Sequence, residues 1–135
     1  MDIHGWQHAA AVDTFYDSRV GKAVDDQTKV WIAYDASAIY LASHCFDPQT
    51  DRLVMRETKR DGNIDGDDNV SFELDAFHTH NWDDFASFRI TPRGTLSSRI
   101  NSGRSGKTEW KGDWEGAARV VEDGWTAEIA IPWSI

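Results

Sequence analysis

"TKVWIAYDASAIYLASHCF", residues 28–46, is the stretch on which the fold turns. Two runs rich in β-branched and aromatic residues, 28–34 and 38–46, flank the polar Asp35–Ser37. Such side chains suit a pleated, half-buried surface, and short polar residues between them bend the chain. The pair reads as two strands joined by a tight turn. Downstream, "NVSFELDAF" (69–77) sets Val70, Phe72 and Leu74 against Ser71, Glu73 and Asp75. That alternation is a strand with one wet face.

The rest of the chain repeats the theme. "FASFRIT" (85–91) and "TLSSRI" (95–100) flank "PRG" and form a hairpin with Gly94 at the turn. "AARVVED" (117–123) and "WTAEIAI" (125–131) flank Gly124 and form another. Helical periodicity is weak except around "WQHAAAV" near the start. Short strands at regular spacing argue an all-β, antiparallel β-sandwich of jelly-roll type, one domain over residues 1–135. Pro132 and the last residues follow the final strand at once, so the sandwich is expected to lack its last C-terminal strand.

Composition narrows function. Twenty-three acidic residues against 14 basic give a net charge of −9. A nucleic-acid backbone or an anionic membrane demands the opposite sign. No apolar run approaches the roughly 18 residues of a membrane span, so this segment inserts in no bilayer, and no signal peptide is legible. Seven Trp, six Phe and three Tyr exceed what a small core needs, and flat rings suit pyranose faces. Cys45 is alone, so no intrachain disulfide forms.

Three stretches carry candidate chemistry. In "RDGNIDGDDN" (60–69), Asp61, Asn63 and Asp65 alternate before Gly66, with Asp67 next. Calcium takes six to eight hard oxygens, and such a loop can wrap one ion. Phe72 stands where an EF-hand needs Glu, and the flanks are strands, so a true EF-hand is not expected; a polar connector is the other reading. In "FHTHNWDD" (77–84), His78 and His80 lie two apart and could share a transition metal, but no third ligand is evident. Trp82, Trp110 and Trp114 sit in polar surroundings and could form a stacking platform, or else cap the sandwich ends. Trp6, Trp31, Trp125 and Trp133 read as packing residues. No nucleophile, phosphate-loop or zinc-protease motif appears, and nothing near Cys45 would lower its pKa, so an enzyme is not expected.

The order "TKVWIAYDASAIYLASHCFD", "DDNVSFELDAF", "FRITPRG", "DGWTAEIAIPWSI" resembles the family 9 carbohydrate-binding modules of the DOMON-like β-sandwich group. The copies at the N-termini of outer-membrane β-barrel proteins of unknown function are the most similar. The resemblance implies a jelly-roll sandwich, a secreted or periplasmic (cell-envelope) location, bound calcium, and a sugar held between two Trp rings. It adds Asp68 to the calcium set and matches Arg89 to a sugar-contacting arginine. Asp65 stands at about the first stacking position, and the chain ends before the second. The resulting expectation is a non-catalytic module binding a neutral saccharide end or short chain through Trp82, Arg89, Trp110 and Trp114. Calcium would brace Asp61, Asn63, Asp65, Asp67 and Asp68. The alternative is a ligand-free structural or interaction domain of a cell-envelope protein. Haem-binding relatives in the group leave His44 and Met55 as an axial pair to consider.

Overall fold

The structure is a computed structural model describing residues 3–76, 78–81, 84–102, 105–107 and 110–135. The stretch 28–46 forms β4 (Thr28–Tyr34) and β5 (Ala38–Phe46), paired antiparallel from Thr28↔Cys45 to Tyr34↔Ile39. The turn between them is fixed by Asp35, whose Oδ1 accepts the Ser37 and Ala38 amides at 2.7 and 3.0 Å. On the far side of β5 lies β11 (Gly124–Pro132), and β10 (Glu115–Val121) follows it. With β1 (Ala10–Val12) on the other edge, the order is β1-β4-β5-β11-β10. The stretch 6–12, the one place where the sequence shows helical periodicity, is not a helix: it runs from the last residue of a 3-10 turn, Ile3–Trp6, into β1, and the tiny hairpin β2 (Tyr16–Asp17) and β3 (Lys22–Ala23) comes next.

The second sheet is β6 (Val70–Leu74), β7 (Ala86–Ile90), β8 (Leu96–Ser102) and β9 (Ser105–Lys107), in that order. The alternation expected in β6 is present: Val70, Phe72 and Leu74 are half-buried, Ser71 and Glu73 exposed. Gly94 closes the β7–β8 turn at φ 90°, a conformation that costs glycine little. Gly124, at φ 149°, lets β11 approach β5 so closely that a Cβ there would strike the Cys45 carbonyl oxygen.

The sheets pack face to face on Leu41, Phe88, Ile90, Leu96, Trp114, Trp125, Ala127, Ile129 and Ile131. Phe88 meets Trp114 edge-on at 5.3 Å and Trp110 at 5.9 Å. Such contacts add about 0.5–1.5 kcal/mol beyond burial alone. The chain is thus an all-β, two-sheet antiparallel sandwich. Between β4 and β6 the layers part into an apolar cleft of about 500 Å³, lined among others by Val12, Phe15, Ile32, Val70, Phe72 and Leu74.

Candidate functional site

Residues paired across neighbouring strands share a face, and two registers decide which side chains of the second sheet turn away from the core. Ser71 and Ser97 flank Arg89, while Glu73 and Arg99 flank Ser87. The outer face of β6–β8 is therefore polar throughout: Ser71, Glu73, Ser87, Arg89, Ser97 and Arg99. Its inner face carries Phe88, Ile90 and Leu96. A single strand hints at this, but the six polar residues become a surface only once three strands are registered.

The acidic loop overhangs that face. A cavity of about 270 Å³ is lined by Asp61, Gly62, Asn63, Asp65, Arg89, Ser97, Ser98 and Arg99. Arg89 Nη1 donates to Asp65 Oδ1 at 2.8 Å; the Arg89 side chain is 16% exposed and that of Asp65 70%. The Arg89 hydrogen bond, then its charge and that of Arg99, hold the Asp65 carboxyl below the usual carboxylate range. Arg99 Nε is shielded from solvent and has no hydrogen-bond partner among the described residues. The cavity thus offers two guanidinium groups, two carboxylates, an amide and serines, balanced in charge.

The expected calcium set is not gathered. Asp61 lies at φ 59°, its N–H donates to the Leu96 carbonyl, and its Oδ1 accepts the Ser98 N–H at 3.0 Å. β9 pairs with β8 only from Ile100 onward, so Asp61 covers backbone that β9 leaves free. Asn63 Oδ1 accepts the Asp65 N–H at 3.0 Å, closing a local turn. Asp67, 9% exposed, accepts the Glu57 N–H at 2.8 Å. Asp68 accepts the Val54 N–H at 2.7 Å and donates its own to the Val54 carbonyl at 2.8 Å. Among the described residues these carboxylates do not converge on one point. They point at separate backbone amides and at Arg89.

Of the expected aromatic platform, Trp114 is corrected. Trp114 is 1% exposed and belongs to the core, with Phe88 against one side and the Arg60 guanidinium 5.3 Å from its ring. Arg60 also donates to the Gly112 and Trp114 carbonyls, locking the acidic loop to this segment. Trp110 is half-buried against Phe88. Trp82 lies outside the described residues. Of the expected packing rings, Trp125 is core, Trp6 and Trp31 are half-buried, and Trp133 is 55% exposed, its Nε1 donating to the Asp35 carbonyl.

Other side chains considered from the sequence are committed elsewhere. Burial pushes the Cys45 thiol up, which makes it a poor nucleophile. His44 Nε2 meets Asp123 Oδ1 at 3.0 Å and its ring stacks on Phe46. No helix among the described residues is long and apolar enough to cross a membrane.

Comparison with solved structures shows the architecture of the family 9 carbohydrate-binding modules. One such module from Caldicellulosiruptor kristjanssonii, in complex with cellotriose, matches at TM-score 0.67 and 17% identity over 100% of this chain and 60% of that one. A family 9 module from the same organism, in complex with glucose, matches at TM-score 0.66 and 17% identity over 100% and 62%. A candidate carbohydrate-binding protein from Bacteroides uniformis gives TM-score 0.72 and 13% identity over 98% and 63%. The chain spans about three fifths of the length of these structures. No protein-family model and no curated protein matches it.

Proposed function

We propose that this domain is a non-catalytic carbohydrate-binding module of a secreted or cell-envelope protein, and that it takes a sugar at the Arg89 cavity. The observation that carries the reading is the polar outer face of β6–β8, roofed by the acidic loop. Sugar hydroxyls donate and accept at once, so they suit a cavity where guanidinium donors alternate with carboxylate and hydroxyl acceptors. The orphan Arg99 Nε–H is a donor that a ligand oxygen would satisfy. The balanced charge favours a neutral saccharide, and the small volume favours one terminal ring over an internal chain segment. The larger apolar cleft between β4 and β6 supplies few such partners and suits a sugar poorly. Two solved relatives in fold hold cellotriose and glucose, which supports the same class of ligand here.

Calcium is left out of this reading because the loop carboxylates do not converge on one point among the described residues. A second reading, a ligand-free structural domain, is favoured by one observation: no described Trp stacks over the Arg89 cavity, and Arg89 is already paired with Asp65. Calorimetric titration with a panel of mono- and oligosaccharides separates the two. The module reading expects saturable binding to at least one sugar, weakened by about 1.5–3 kcal/mol, tenfold or more in Kd, in Arg89→Ala. Silence across the panel selects the structural domain.

A further inference from the structure

Between β6 and β7, residues 78–80 fold around one carboxylate. Asp75, next after β6, accepts the Thr79 N–H on Oδ1 at 3.0 Å and the His80 N–H on Oδ2 at 2.8 Å. The His78 N–H returns to the Asp75 carbonyl at 3.2 Å. Within this tight loop His78 and His80 both adopt left-handed backbone, at φ 54° and 55°. That conformation is uncommon for residues with a Cβ, although histidine tolerates it better than most. Its result is that the two imidazoles are aimed at each other, Nε2 to Nε2 at 3.1 Å. Ligand atoms of Asp75, His78 and His80 all lie within 4.8 Å of one another, the only such group of His, Cys, Asp and Glu among the described residues.

We propose that Asp75, His78 and His80 form a binding site for a divalent d-block cation of the zinc class, distinct from the sugar cavity. Two imidazole nitrogens and a carboxylate oxygen are a donor set that zinc accepts, with water as the fourth ligand. The spacing fits. Zinc–nitrogen bonds of about 2.0–2.1 Å in tetrahedral geometry place two nitrogens about 3.3–3.4 Å apart. The observed 3.1 Å is reached from there by a slight ring movement. Asp75 Oδ1 accepts the Thr79 amide and its hydroxyl, but Oδ2 accepts only one amide and keeps a lone pair for a metal, so the carboxylate shapes the loop and ligates at once. Calcium would find one oxygen donor where it needs six or more, so the site discriminates against it. A hydrogen bond between two exposed histidines is the competing account of the pair. It explains the ring contact but not why a third donor converges on it.

The test begins with protein stripped of metal by chelator and dialysed. Zinc chloride added in a calorimeter is expected to bind at one equivalent, with calcium producing no comparable heat. In proton NMR the ring signals of His78 and His80 should shift on zinc addition while those of His8 and His44 stay. The double variant His78→Ala/His80→Ala alters only exposed side chains, so its circular dichroism should be unchanged. It should lose more than the roughly tenfold in affinity that removal of an outer-shell partner costs. Zinc affinity unchanged in the folded double variant, or wild-type protein with no saturable zinc binding at high micromolar metal, overturns the site. The sugar titration above is independent, since it probes Arg89.

Discussion

Trp114 shows how a residue's role follows from its register more than from its neighbours. In "EWKGDWEG" the charged residues Lys111, Asp113 and Glu115 are exposed, while Trp110, Gly112, Trp114 and Gly116 alternate with them on the inner side. This is a period-two pattern, masked in the sequence by two glycines that contribute no hydrophobicity. Read as a polar stretch it suggests a surface ring; read by alternation it gives a core ring. Trp114→Ala should accordingly cost about 3–5 kcal/mol in urea unfolding, as for other buried aromatics. Trp110→Ala should cost clearly less, because that ring is only half-buried. A Trp114→Ala protein of near wild-type stability would return the ring to the surface and revive the stacking platform. The resemblance points to Arg89, whereas nothing in the sequence points to Ser87, Ser97 and Arg99, because their common face depends on pairing between three strands.

At the scale of elements, the strand assignments were largely open to sequence reasoning because burial imposes alternation on each strand separately. The hairpins around Asp35–Ser37, Gly94 and Gly124 were open for the same local reason, since turns demand particular residues. The acidic loop resisted. Its carboxylates cluster in sequence, yet Asp61, Asp67 and Asp68 each serve a different backbone amide, on β8 or before β6, Asp65 pairs with Arg89, and the bond within the loop is accepted by Asn63. Ile64, fully buried in the same loop, anchors it from within. Clustered acids and separate partners look identical to a reader of one chain, because the partners are 10 to 37 residues away in three of these bonds. If the loop is held by these contacts, adding calcium to the metal-free protein should leave Tm unchanged in a thermal melt. Asp67→Ala should instead lower stability by about 1–3 kcal/mol, the cost of leaving the Glu57 amide without its acceptor. A rise of several degrees on calcium addition would restore the ion to the loop.

For the whole molecule, acidity is the property that five carboxylates share. Ser37, through its hydroxyl and then its amide, with the Ala38 amide, lowers Asp35 to about 2. The Arg19 side chain lowers Asp17, the Lys59 and Thr58 amides lower Glu57, and Arg89 lowers Asp65. For Asp75 desolvation is the largest influence and pulls upward, but the His80 and Thr79 amides and the two imidazoles together outweigh it. A group whose pKa is depressed by folding contributes stability above its unfolded value, near 4, and loses it as pH falls through the folded value. The net charge of −9 acts in the opposite sense, since acid relieves self-repulsion until the isoelectric point near 4.8. Thermal melts should therefore show a flat or slightly rising Tm from pH 7 to about pH 5, then a fall that steepens below about pH 4. Asp35→Asn keeps an acceptor for the turn amides but no longer titrates, so it should flatten the lowest part of that fall. A wild-type Tm that holds steady down to about pH 2.5 would mean that these contacts do not favour the ionised carboxylates.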